Sequence, residues 1–329
     1  MNRPDPLVAA QVNWAQYEPG QTQGHYESFY VRGNHPTEPL AFWLRYTIFA
    51  PDGHPEQAEG ELWAVVFGVG SGEPTTAYSA TPLAECRFAR DAFDVRIGEA
   101  TLDATSLHGR AGDIAWDLTY TGDQPPLYLL PARFYSGGFP KAKSLVSLPL
   151  ARFTGELTVA GRTIEVDGWT GSQNHNWGSR HTDRYAFGQI AGFDGEPDSF
   201  LELATARTKV GPFWIPQLTP IVLRHGGHEY ALTSLGTARR TTATVSPTSW
   251  TFAGESDAAS IRGEISAPDE AFVVLEYRNP PGGLKYCRNT KIAKCSLSLV
   301  DKRTGLTAEL GSAHGALFEI LGDSNGKAT

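Results

Sequence analysis

The chain has 329 residues, enough for about two domains of 150 residues or one large β architecture. Hydrophobic residues make up 40% and charged residues 19%, which supports a sizeable core and excludes a disordered chain. A formal charge of −8 without clustered Lys/Arg speaks against a nucleic-acid surface, and no apolar run of about 18 residues exists to cross a bilayer as a helix.

From the N-terminus, only the short apolar run Leu7-Val-Ala-Ala follows Met1-Asn-Arg-Pro-Asp-Pro, too little for a signal-peptide core. With an odd count of 3 cysteines, this sets the expectation of a cytoplasmic protein without a disulfide framework. Alternation then begins. Residues 25–31 set Tyr26, Ser28 and Tyr30 on one face, and residues 40–49 set Phe42, Leu44, Tyr46 and Ile48 opposite Trp43, Arg45 and Thr47. Further strands are expected at 62–69, 92–97, 114–120, 155–160, 163–166, 185–190, 199–207, 218–224, 229–235, 261–265, 272–277 and 296–300. Turn signals such as Pro51-Asp-Gly, Ala160-Gly161, Asp194-Gly195 and Gly226-Gly227 separate them. No amphipathic helix is readable, so the fold class is all-β, as barrels or sandwiches.

Two stretches break this rhythm. Residues 125–149 contain five prolines and Gly137-Gly138, and residues 210–220 contain Gly211-Pro212 and Pro216 around Phe213 and Trp214. Both read as long irregular loops, which serve as lids and binding loops or plug a barrel end. Gly68-Val-Gly70-Ser-Gly72 lacks the context of a dinucleotide loop and reads as a strand-end turn. His225-Gly-Gly-His228 reads as a hairpin tip rather than a metal site. Cys287 and Cys295, eight residues apart, are expected as buried or free thiols more than as a pair across a hairpin.

The densest chemistry lies between Asp167 and Gln189, with Trp169, Asn174, His175, Asn176, Trp177, His181, Asp183 and Tyr185. Aromatics supply an apolar wall, while amides, imidazoles and carboxylates demand specific partners when buried. The strand that follows places Tyr185, Phe187 and Gln189 on one face. In the next strand Glu202 stands between Leu201 and Leu203, sharing a face with Phe200 and Ala204. A carboxylate among apolar neighbours needs a cation or imidazole, here Arg180, Arg184, Arg207 or a histidine. The competing reading is a buried polar network that knits two barrels together.

Asn174-His175-Asn176-Trp177-Gly178, followed by the aromatic strand Tyr185-Ala-Phe-Gly-Gln, resembles the signature of the carotenoid 1,2-hydratase (hydroxyneurosporene synthase) and AttH-like family. The upstream Tyr135-Ser136 and the strand pair leading into Gly168-Trp169 are also similar to that family's layout. The resemblance implies two lipocalin-like antiparallel β-barrels packed together, here residues 1–178 and 179–329. It also implies a hydrophobic isoprenoid- or polyketide-like ligand in a barrel cavity. Where the family has a His and an acid before its His-Asn-Trp-Gly, this chain has Gln173 and Asn174. An amide supplies no proton, so hydration of acyclic carotenoids is not expected.

The resulting expectation is a hydrophobic-ligand-binding enzyme of the hydratase, isomerase or cyclase type. It needs no redox cofactor and no metal. Its catalytic residues are expected to be His175, Glu202 and Asp183, with Glu202 the better partner for His175 and His181 at a surface or rim. Trp169, Asn174, Asn176, Trp177, Tyr185, Phe187 and Gln189 are expected to bind the ligand, with Trp169, Trp177 and Tyr185 lining one cavity. The alternatives are a non-catalytic carrier of a lipid-like ligand, or a structural or stress protein with filled barrels.

Overall fold

The computed structural model describes residues 11–70, 73–135 and 137–323; Ser71, Gly72 and Ser136 of the motifs above lie outside them. The expected alternation is plain in strands such as Ile114–Thr121 and Ser249–Glu255, whose residues are buried and exposed in turn. Strands form two curled antiparallel sheets, the first of 12 strands within His25–Gly178 and the second of 10 within Arg184–Gly322. This is the all-β, two-barrel architecture anticipated from the sequence. One six-residue α-helix, Leu235–Arg240, lies wholly within the described residues; the Ser234 side chain caps it by accepting from the Thr237 N–H.

The two sheets share one plan. In each, the opening strand pairs with the closing one: His25–Asn34 with Arg162–Gly178, and Arg184–Phe193 with Thr307–Gly322. The register follows from local turn chemistry. Ala160 and Gly161 both take positive φ, 49° and 79°, which closes a two-residue hairpin between Val159 and Arg162.

Each sheet wraps one apolar core. Phe29, Phe42, Tyr46, Trp116, Phe153 and Trp169 belong to the first. Leu201, Leu203, Trp250, Phe252 and Phe318 belong to the second. The opposite faces of the central strands meet at a junction, where Tyr30, Trp43 and Phe67 pack with Leu275, Tyr277 and Cys287. All ten residues of His25–Asn34 are therefore buried, since both faces of this strand are covered.

Two local expectations need correction, and a third holds. Residues 125–149 are not irregular throughout: the strand Ala142–Val159 runs through Pro149, accommodated by a register shift between Pro149 and Ala151 beside Leu150 at φ 55°. Within 210–220, Lys209–Val210 and Phe213–Trp214 pair as a small separate hairpin. As expected, Cys287 and Cys295 are buried, free thiols; both lie on one strand, Leu284–Asp301, so they do not face each other across a hairpin.

Candidate active site

The motif occupies the strand Arg162–Gly178, where it is flanked on both edges: His175 lies opposite Phe29 and Leu145, and Asn174 opposite Tyr30 and Val146. This strand can approach its neighbour closely because position 171 is glycine. A Cβ there would stand 1.7 Å from the Arg32 carbonyl oxygen. Alternation then sends Gln173 and His175 towards the first core and Ser172 and Asn174 towards the junction. The motif thus faces two different environments.

On the core side, His175 is fully buried and stacks on Phe29 with ring centroids 4.3 Å apart. Its Nδ1 lies 2.6 Å from the Val12 carbonyl, which can only accept, so Nδ1 carries a proton. Its Nε2 lies 2.7 Å from Glu27 Oε1. Glu27 also accepts from the Gln16 and Tyr17 backbone N–H groups and contacts His25 Nε2 at 3.0 Å. Burial alone would raise this carboxyl, but the hydrogen bonds and charge of His175 and His25 outweigh it and hold Glu27 at about 2. Asn13 adds to the same device, accepting from Ser147 Oγ and exchanging hydrogen bonds with Gln173. Together these groups fasten residues 12–17 onto the sheet.

On the junction side the amide of Gln189 is the hub. Its Oε1 accepts from Arg32 Nε at 2.7 Å and Ser172 Oγ at 2.6 Å. Its Nε2 donates to Asn174 Oδ1 at 2.9 Å and to Glu202 Oε2 at 3.0 Å. Arg32 continues through Asn34 to the Lys291 backbone carbonyl, and Lys291 Nζ itself pairs with Glu319 at 2.9 Å.

Glu202 stands apart within this network. It is fully buried and forms no ion pair among the described residues, and its Oε1 has no hydrogen-bond partner there. Val222 lies opposite it on the next strand and Phe200 shares its face, and both belong to an apolar cluster with Leu127, Leu129, Val146 and Ala191. Burial pushes its carboxyl up to about 8; the Gln189 hydrogen bond and the charges of Arg32 and Arg224 oppose this without prevailing. Glu202 is therefore largely a neutral carboxylic acid at pH 7. Leu127 and Leu129 belong to a strap held at one end by Arg224, whose guanidinium donates to the Pro125 and Pro126 carbonyls. Tyr135 holds the other end, donating to the Ser144 carbonyl and accepting from the Leu130 N–H. Asn176 Oδ1 and Tyr128 OH are likewise buried without a partner among the described residues.

The structure rearranges the expected site. Gln189, Asn174 and Glu202 come together as one chain of hydrogen bonds. His175 does not pair with Glu202: the imidazole is turned into the first core, where Glu27 holds it, whereas Glu202 stands on the second sheet and faces the junction. Asp183 accepts from the Lys209 N–H and lies 3.6 Å from Arg180, remote from both. Trp169, Trp177 and Tyr185 do not share a cavity. Trp169 is in the first core against Phe42; Trp177 packs on His175 and Tyr135; the Tyr185 hydroxyl meets Glu319 at the junction. Phe187, beside Gln189 on its strand, is buried. His181 is buried rather than at a rim, stacked on Tyr26 at 4.1 Å, and burial next to Arg45 holds its imidazole down at about 3.

Glu27 and Arg32 were missed by sequence reasoning. A signal was present, since each is a charge in a strand with Tyr26, Phe29, Tyr30 and Val31, but His25, Ser28 and Asn34 in the same strand blur it. Among the described residues no group of three or more His, Cys, Asp or Glu side chains is placed to hold a metal ion.

No protein-family model matches the chain. An uncharacterised protein of Mycobacterium tuberculosis, present in two strains, is 25% identical over 292 residues, covering 88% of this chain and 85% of its own length. Among solved structures, a candidate AttH protein from Nitrosomonas europaea superposes with a TM-score of 0.61 at 16% identity, over 94% of this chain and 97% of that one. Kievitone hydratase from Nectria haematococca gives 0.60 at 11% identity, over 94% and 92%. CghA gives 0.54 at 13% identity, over 96% and 98%. These similarities establish a shared fold.

Proposed function

We propose that this chain is a cofactor-free enzyme of the hydratase or isomerase type, in which Glu202 carries a proton to and from a hydrophobic small molecule at the junction of the two sheets. The observation behind this reading is a buried, neutral carboxylic acid with one free oxygen, set against an apolar cluster under a strap. Such a group is costly unless it is used, and perturbed carboxyls of this kind concentrate at functional sites. The fold shared with kievitone hydratase and an AttH-like protein is in keeping with it.

The chemistry follows from the acid's strength. A carboxyl near 8 is strong enough to protonate the α- or γ-carbon of a dienolate, a strong carbon base, and is too weak to protonate an isolated alkene. The substrate class is therefore a polyene- or polyketide-like molecule with a conjugated carbonyl. In an isomerisation the carboxylate fraction of Glu202, bonded by Gln189 Nε2 and facing the Arg32 charge, takes a proton from one carbon to leave a dienolate and returns it to another carbon of the conjugated system. In a hydration it takes a proton from the water that adds and gives one to the α-carbon of the resulting enolate. Asn174 needs no acidic replacement in this scheme, because Glu202 supplies the proton two hydrogen bonds away. The halves 1–178 and 179–329 act as the two walls of the site, and the free cysteines accord with a cytoplasmic setting.

The test is deuterium uptake. Conjugated polyene ketones incubated with the protein in heavy water should gain deuterium, and Glu202→Gln should slow uptake by about 100-fold or more. A wild-type protein that binds such ligands without exchange would be a carrier, contrary to the proposal. One observation favours a structural protein with filled barrels instead. Both cores are packed by side chains, and the two described surface grooves, of about 540 and 260 Å³, are lined by neither Glu202 nor its partners.

A further inference from the structure

We propose that the end of the molecule carrying the Lys209–Trp214 hairpin docks on an anionic lipid surface. Phe213, at the hairpin, leaves 75% of its surface in water, and Phe139 leaves 64%. Both belong to one end. Lys141, two residues after Phe139, accepts from the Ser179 N–H, and Arg180, the next residue, donates to the Lys209 carbonyl at 3.3 Å.

Cations ring the hairpin's second aromatic. Arg184, Arg207 and Lys209 all approach the Trp214 ring, at 5.4, 5.1 and 4.8 Å from its centroid. Among them the carboxylates are Asp183, engaged by Arg180 and the Lys209 N–H, and Asp323, taken by Lys285. Positive charge therefore accumulates here on a chain whose formal charge is −8. A repulsive cluster of this kind gains by meeting an anionic surface.

Lipid fits this geometry better than a protein partner does. The two exposed rings sit on separate segments, Phe213 next to the turn of the hairpin and Phe139 in the connection before Ala142, suited to insertion between headgroups. The three cationic heads gathered at the Trp214 ring would meet lipid phosphates at the level where the indole itself is favoured. This surface shares no residue with the Glu202 site, so either conclusion stands or falls alone.

The experiment is co-sedimentation of the full chain with phosphatidylcholine vesicles, pure or containing about one third phosphatidylglycerol. Binding should be at least about tenfold tighter to the anionic vesicles and weaken with added salt. Arg207→Ala and Lys209→Ala should each lose about fivefold, and Phe213→Ser a similar factor. Thermal unfolding of these variants should match wild type, since the substituted side chains are exposed. Equal binding to both vesicle types, no binding, or binding indifferent to all three substitutions would overturn the proposal. So would capture by duplex DNA or an acidic peptide without vesicle binding.

Discussion

Glu27 and Glu202 are both fully buried glutamates, and each lies within two hydrogen bonds of the motif strand. Burial pushes both carboxyls in the same direction. Glu27 meets two imidazoles and two backbone N–H groups and is held at about 2; Glu202 meets one amide N–H and rises to about 8. The difference lies in partners, since loss of water is common to both. It also separates their settings: Glu27 fastens residues 12–17 to the sheet, whereas Glu202 is left with one oxygen unpartnered among the described residues.

The comparison is broken most forcefully at Glu27. Glu27→Ala leaves His175, His25 and two backbone donors without their acceptor, and chemical denaturation should show a loss of about 3–5 kcal/mol. Glu202→Gln keeps shape and replaces a group already neutral, so at pH 5 its stability should stay within about 1 kcal/mol of wild type.

The pH dependence sharpens the contrast. The Glu202 carboxyl is raised above its ordinary 4.5, so its contribution is full below 4.5 and is lost as pH rises through about 8. Denaturation midpoints should fall over that window in wild type, and Glu202→Gln should flatten the fall and be the more stable protein at pH 9. Glu27 is depressed, so its contribution is present above 4.5 and lost as pH drops through about 2. His181, kept neutral by burial, adds a loss beginning below 6.5 and running through about 3. The acid-side decline should therefore be unchanged in Glu202→Gln.

Two smaller effects complete the series. His175→Gln should cost about 1–3 kcal/mol while leaving deuterium exchange by the folded protein unchanged, because Glu27 keeps its other donors and Glu202 stands on the second sheet, facing the junction. Arg224→Ala frees the Pro125 and Pro126 carbonyls; a loss of about 1 kcal/mol and faster protease cleavage within 125–135 are expected. Unaltered cleavage would mean that Arg224 is not what holds the strap.

Much of the fold was legible because one covered face and one wet face print an alternating pattern, as in Ile114–Thr121. The site strand was harder to read. Gln173 and His175 meet polar partners on the core side, and Ser172 and Asn174 meet others at the junction, so polarity occurs on both faces and the alternation vanishes. The oddity of Glu202 was visible from its apolar neighbours, and parity already placed His175 and Asn174 on opposite faces. Its lack of a cation was not visible, since Arg180, Arg184 and Arg207 all looked available in sequence. Arg184 and Arg207 instead crowd Trp214, while Arg180 lies near Asp183. Partners so far apart in sequence as Val12 and His175, or Arg32 and Gln189, are fixed only by sheet closure.

The central claim is that Glu202 is a neutral acid at physiological pH, and carbon-13 NMR of glutamate-labelled protein tests it directly. One side-chain carboxyl resonance, absent from Glu202→Gln, should titrate with a midpoint near 8. Titration of that resonance in the ordinary range near 4.5 would show that Glu202 is charged at neutral pH and would contradict the account.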